Sequence, residues 1–370
     1  MASWVKNWNE MSLIKFLKRS ALANKKTILI FISLLFFLAD LLPKAKNVKY
    51  ANTYSHIVKC KPKTNKPYIW VKKECPKFKE IILSWNAKKP KTGSLVFSIS
   101  CLVKGEWTGW KRLATWGENL HLTYSRTKSP RLHTKHVRAE IPGTFTATGF
   151  RVCVKSLDGA KIKNLDALFC CTSQEKDFHP EQSTKFDFPS IKIDNLQTQS
   201  QMVLKHRKAP AMCMATSLSI AIQQLNGFKT AEKTNKNLAT EITTFADAAY
   251  DQSLNIYGSW GLNIAEGYQH IKNGYLRAER LNNFSDIYKL LTKKIPVVVS
   301  IRGPLKNAAL PHLNGHFIIV AGWSKKHQRV LCIDPAFKTN RHTKTSYAIE
   351  DFLKAWERSR RFSCIALKAG

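Results

Sequence analysis

The sequence predicts an α+β chain in two unlike halves: an all-β sandwich, then a domain in which an N-terminal helix packs on an antiparallel sheet. Three observations carry this. Short β-rich runs separated by turn residues fill residues 76 to 174. A helix-length apolar stretch, AMCMATSLSIAIQQLNG, opens the second half and ends on Asn226-Gly227, a good C-terminal stop. Three apolar strands then follow closely: PVVVSI (296–301), HFIIVAGW (316–323) and RVLCID (329–334).

Ahead of these halves, Thr27 to Leu42 is an apolar run broken only by Asp40. It follows Lys15, Lys18, Arg19, Lys25 and Lys26, the basic n-region of an export signal. At 16 residues it is short for a relaxed membrane span. We expect residues 1–43 to be an export signal that can remain as an inner-membrane anchor, so that the protein is exported, periplasmic or extracellular. Residues 44–75 are rich in lysine and proline and read as a basic tether.

The β half, 76–174, contains EIILSW (80–85), SLVFSISCLV (94–103), HLTYS (121–125), GFRVCVKS (149–156) and ALFCCTS (167–173). Trp107, Trp110 and Trp116 lie close together in it, as an exposed glycan platform or as buried core. Residues 175–195, with Pro180 and Pro189, read as a linker, and 196–370 as the second domain. There LRAERLNNFSDIYKLLTKK gives a strand and a helix, IEDFLKAWERS a further helix, and RFSCIAL a closing strand.

The chain carries 60 Lys plus Arg against 25 Asp plus Glu, a formal charge of +35. Such a field attracts anionic envelope surfaces or nucleic acid. The lysines are scattered, however, and no zinc-finger spacing, RNP pattern or phosphate-binding loop accompanies them, which argues against dedicated nucleic-acid binding. Nine cysteines show no CxxC spacing, so no metal site is expected. Cys60 with Cys75, and Cys153 with Cys170 or Cys171, are candidate disulfides.

The chemistry is concentrated at the ends of one hairpin and the start of one helix. If the hairpin turn centres on Lys325, His316 opens the first strand directly opposite Asp334. An aspartate there can fix one imidazole nitrogen and leave the other as base, or simply close the hairpin as a structural pair. Cys213 stands at the start of the predicted helix, where free N–H groups and the helix dipole favour thiolate. Cys332 and Cys364, inside apolar strands, read as buried hydrophobes. An oxyanion hole would use the Cys213 backbone N–H and the amide of Gln201, with Gln197 and Gln199 as weaker candidates.

With these residues in view, the chain resembles the papain-fold peptidase-like family whose best-known members trim bacteriocin leaders after double glycine, and more closely its stand-alone bacterial branch with an N-terminal β domain. The resemblance rests on SWNAKKP (84–90), WTGW (107–110), SQM (200–202), MCMATS (212–217), YGSWGLN (257–263), PVVVSI, GHFIIVAGW and CIDPAF, in that order. It implies a papain-like fold for 196–370 and a cofactor-free cysteine peptidase acting on peptide or protein. Cys213 would be nucleophile, His316 general base, Asp334 orienter and Gln201 oxyanion donor. Trp260, Asn263 and Gly315 would line the substrate cleft, although YGSWGLN can equally be a packing loop. Met212, Met214 and Ala215 depart from the aromatic and Ser-Pro that often flank the cysteine in that branch. Cell-wall amidase or acyltransferase chemistry, and an inert module binding through the β half, are the alternatives.

Overall fold

The computed structural model describes residues 53–126, 129–174, 185–227 and 235–368. The expected export segment, Thr27–Leu42, lies outside them. Among the described residues no helix is long and apolar enough to cross a membrane.

Eleven strands build the first half. They are β1 (Thr53–Lys59), β2 (Tyr68–Lys72), β3 (Glu80–Ala87), β4 (Ser94–Val103), β5 (Glu106–Trp107) and β6 (Lys111–Gly117). Then come β7 (His121–Thr123), β8 (His133–Lys135), β9 (Arg138–Glu140), β10 (Ala147–Leu157) and β11 (Leu165–Ser173). One antiparallel sheet runs β1-β11-β3-β9-β8; the other runs β2-β10-β4-β6-β7, with β5 beside β4. Alternation along β4 sends Leu95, Phe97, Ile99, Cys101 and Val103 into a core shared by both sheets. There Trp85 of β3 stacks on Phe97 at 4.1 Å between ring centroids.

Three sequence expectations change here. β1 and β2 fall within the expected tether: Tyr68 and Trp70 alternate onto the core, a pattern that the surrounding lysines obscure. Of the two alternatives for the tryptophans, Trp116 takes the buried-core one, and the guanidinium of Arg151 lies 4.8 Å and 4.5 Å from the Trp107 and Trp110 ring centroids, where a glycan would have to sit. All nine cysteines are free thiols. Cys170 points into the core between the sheets and Cys171 away from it, whereas Cys153 sits on the outer side of β10, between the core-facing Val152 and Val154. Both candidate partners lie on β11, in the other sheet.

The second half adds β12 (Ile191–Lys192), α1 (Cys213–Leu225), α2 (Asn235–Ala248), α3 (Trp260–Tyr268), β13 (Tyr275–Arg280) and α4 (Phe284–Thr292). It closes with β14 (Val297–Ile301), β15 (His316–Ser324), β16 (Arg329–Ile333), β17 (Lys344–Ala348), α5 (Ile349–Arg358) and β18 (Phe362–Leu367). Its antiparallel sheet runs β13-β18-β14-β15-β16-β17, with β12 added to β15. The chain is thus a mixed α/β protein with three antiparallel sheets and five described α-helices. The end of the expected linker is docked, not free. Phe186 and Phe188 pack on the second core, and the Trp323 indole donates to the Phe188 carbonyl at 3.0 Å.

Tyr50–Gly370 form one compact unit. Strand β13 is the edge of the third sheet, and its open backbone is met by side chains of β3. Asn86 donates to Leu276 O at 2.7 Å and accepts from Leu276 N–H at 3.0 Å, while Ser84 Oγ accepts from Ala278 N–H at 3.1 Å. Nearby, the fully buried Glu80 pairs with Arg280 and with Arg360. From α3, Leu262 and Ala265 reach into the first core.

Candidate active site

Helix α1 lays Met214, Ala215, Leu218, Ala221 and Ile222 into the second core, and this burial fixes its axis against the sheet. The Ser217 hydroxyl donates to Phe317 O at 3.1 Å. Ser217 is one turn beyond Cys213, and Phe317 follows His316, so this bond aligns the start of α1 with the start of β15. Cys213 is the first residue of α1, half-buried, and no side chain caps the helix ahead of it.

His316 and Asp334 meet as expected, but by a different register. Next to the turn Ser324 pairs with Arg329, and beyond a bulge at Ala321 Ile319 pairs with Ile333. Continued by one residue, that ladder sets Asp334 across from Ile318, diagonal to His316 instead of directly opposite. The tetrapeptide turn Lys325–Gln328 places the register three residues out of step with the expected pairing. An odd slip would turn His316 and Asp334 to opposite faces, and the bulge restores the parity. On the shared face His316 Nε2 donates to Asp334 Oδ1 at 2.7 Å. That bond leaves Nδ1 open, and Cys213 is near enough to His316 to act on its charge state.

Asp334 is fully buried and well satisfied: Oδ2 accepts the Tyr347 hydroxyl at 2.6 Å, and Oδ1 also accepts Ala336 N–H at 2.9 Å. Burial pushes its pKa up, but the His316 charge and hydrogen bond, with these donors, outweigh it and hold the carboxyl below its ordinary value. For His316, burial works downward; the Asp334 charge and hydrogen bond, with Cys213, overcome it and raise the pKa to about 10. The Tyr347 phenol is pushed well up by burial and by the Asp334 charge, so it stays a donor.

Gln201 bridges the two sides of the site. Its backbone N–H donates to Pro335 O at 2.9 Å, and its side-chain amide to Pro210 O at 2.6 Å, three residues before Cys213. The amide has a second N–H to offer. Gln199, in contrast, donates to the neighbouring Ser200 carbonyl at 3.0 Å. Gly315, exposed beside His316, has φ +97°, a left-handed conformation suited to glycine. Asn263 is fully buried and donates to the carbonyls of Tyr257 and Ser259 at 2.8 and 2.9 Å, so it holds its loop and offers no surface to a substrate. Trp260 packs against both cores, with its ring 4.9 Å from Phe362. For YGSWGLN these contacts favour the packing-loop alternative.

One neighbour of His316 has no clear sequence signal. His312 stacks on it, ring centroids 4.0 Å apart and planes 7° apart, with Nε2 3.9 Å from Asp334 Oδ2. His312, His316 and Asp334 bring three ligand-type atoms within 4.8 Å of one another. Imidazole lone pairs lie in the ring plane, and a zinc ion sits about 2 Å from the nitrogen along that direction. Two parallel stacked rings share no such point, so the cluster as placed is a stacked pair and not a metal cradle. Burial, and then the His316 charge, lower the His312 pKa to about 4, against the pull of Asp334.

Residues 193–364 match the family model described as Peptidase_C39 like family, which supports a peptidase domain of that kind over this stretch. No curated protein matches the chain.

Proposed function

We propose that the second half is a cysteine peptidase of papain-like design, set on a β-sandwich, and that it cleaves peptide bonds through Cys213, His316 and Asp334. The observation that supports the reading is the His316 Nε2–Asp334 Oδ1 hydrogen bond, which leaves Nδ1 open, together with the influence of Cys213 on the same ring. A histidine so held can take the thiol proton and keep the resulting imidazolium beside the sulfur.

Cys213 sulfur, its proton passed to His316 Nδ1, attacks the scissile carbonyl carbon and forms a C–S bond. The oxyanion that develops meets the Cys213 backbone N–H and the free amide hydrogen of Gln201. His316 returns the proton to the leaving amine as the C–N bond breaks, leaving an acyl-enzyme. Water, deprotonated by His316, then attacks the thioester, releasing the acid product and the thiol. Asp334 holds the imidazole in one tautomer throughout, and Tyr347 and Ala336 hold Asp334.

The test is site-resolved alkylation by iodoacetamide at neutral pH on the full chain, followed by peptide mass spectrometry. Cys75 is a built-in comparator, half-buried like Cys213, with a thiol pushed up to about 11 by burial. Cys213 is expected to react at least ~10-fold faster than Cys75 and to lose that advantage in His316→Ala. Equal rates at the two sites would sink the reading. Given fast labelling, cleavage of a peptide library, abolished by Cys213→Ser, identifies the substrates.

A further inference from the structure

The segment between β14 and β15 reverses the usual order of burial. Leu310 and Leu313 are 51% and 68% exposed, whereas His312, between them, is 8% exposed. Leucine is among the residues most often buried, and histidine is less often so. The inversion is enforced by the backbone. His312 has φ 48°, in the left-handed region, and its carbonyl accepts N–H groups from both Gly303 and Gly315 at 3.0 Å. A residue kept in that conformation needs surroundings that over-determine it. Here two converging hydrogen bonds close the loop on His312 and aim its ring inward.

What the ring gains inside is not a polar partner. Its buried Nε2 has no hydrogen bond, and the nearest carboxylate oxygen, Asp334 Oδ2, is 3.9 Å away and already holds the Tyr347 hydroxyl. It gains the flat face of His316, at stacking distance and nearly parallel. The groups facing His316 are then Asp334, Cys213 and His312, and those facing His312 are His316 and Asp334.

We propose that His312 is a positioning residue: its stacked ring fixes the plane of the His316 imidazole, keeps Nδ1 aimed at Cys213, and keeps water off the His316–Asp334 hydrogen bond. This rests on the peptidase reading of the Cys213–His316 pair. An imidazole tethered only by one edge can rock about its bond to Asp334, and rocking moves Nδ1 out of reach of the sulfur. A second ring lying flat on it removes that freedom.

The experiment follows the pH–rate profile of Cys213 alkylation in the full chain for the wild type, His316→Ala, His312→Ala and His312→Phe, with near-ultraviolet circular dichroism as the check on folding. His312→Ala is expected to slow labelling at neutral pH roughly tenfold and to move the profile toward that of His316→Ala. His312→Phe, which restores a flat ring but no nitrogen, is expected to stay within about threefold of wild type. A purely structural role would lower stability in His312→Ala without moving the profile. The proposal is overturned if folded His312→Ala keeps the wild-type profile, or if His312→Phe is slowed as much as the alanine variant. Should the alanine variant not fold, the phenylalanine variant decides alone: labelling within about threefold of wild type supports the proposal, and a profile moved to that of His316→Ala overturns it. If wild type labels no faster than His316→Ala, the pair itself is inert and the peptidase reading falls together with the proposal.

Discussion

Tyr347 and Asp334 form a fully buried hydrogen bond of 2.6 Å, phenol to Oδ2, across the β16–β17 edge of the sheet. It leaves Asp334 Oδ1 to His316 and Ala336 and caps the oxygen that would otherwise be an unmet charge in the core. Tyr347→Phe keeps the ring and deletes only this donor. The expected cost is about 1–3 kcal/mol in urea unfolding, the range for orphaning a buried, charge-bearing acceptor. Cys213 labelling should slow several-fold as well, since a less firmly held carboxylate orients His316 less well. A variant as stable as wild type would show that water replaces the phenol.

The pH dependence of stability carries the sign of the His316 shift. The folded-state pKa is raised to about 10, above the ordinary value of 6.5. The stability that this contributes is fully present below about pH 6.5 and is lost as pH rises through about 10. Buried thiols such as Cys171, raised to about 12 by burial, act with the same sign above the ordinary thiol range. The difference between wild type and Asp334→Asn isolates His316. The urea midpoint of wild type should decline toward alkaline pH more steeply than that of the variant, and parallel curves would show that Asp334 does not hold His316 charged. The depressed Asp334 pKa works at the other end: its contribution is present above the ordinary carboxylate value and is lost as pH falls through the folded one.

The residues that meet in the candidate site were readable because each sits at a marked place in the sequence. Cys213 opens an apolar helix, and His316 and Asp334 end a hairpin whose interior is apolar. The register was not readable, because a four-residue turn and a bulge at Ala321 leave no pattern in a run apolar on both faces. Nor was His312 readable. It lies in a loop without periodicity, and only the path of Gly303 and Gly315 turns it inward. Tyr347 looked like any strand aromatic. In the β half, β1 and β2 hid among lysines because edge strands expose one face to solvent, where lysine is acceptable.

The bulge gives Gly322 its significance. A Cβ there would lie 2.5 Å from the Ile191 carbonyl oxygen and 3.0 Å from Lys192 Cα, both backbone atoms of β12. Neither can move away without breaking the pairing of β12 with β15. Gly322→Ala is therefore expected to destabilise by ~1–3 kcal/mol through overpacking. Hydrogen exchange should show the amides of residues 191–193 losing protection first. Unchanged protection there would mean that β15 moves instead, and Cys213 labelling would then fall through the displaced His316.

The contact between the halves predicts its own failure mode. Asn86 meets both backbone groups of Leu276 from a fully buried position on β3, so its side chain acts as one further strand residue for the β13 edge. Asn86→Ala would leave an N–H and a C=O unmet in a dry interface. The expected cost is about 2 kcal/mol or more, since each orphaned group carries its own desolvation penalty. Asn86→Asp is the sharper variant: it can accept from Leu276 N–H, but as a carboxylate it cannot donate to Leu276 O, and it would bury a charge. It should destabilise more than alanine at neutral pH and recover toward acid, where a protonated carboxyl can donate. The measurement is urea unfolding followed separately by tryptophan fluorescence and by Cys171 labelling. Cys171 faces the second half from β11 and reports opening of the contact, while Trp85 and Trp116 report melting of the first core and Trp323 and Trp356 of the second. In wild type the two signals should change together, as one compact unit requires. In Asn86→Asp, Cys171 should become reactive at lower urea than the fluorescence change. Coincident transitions in that variant would show that the contact does not open ahead of the cores.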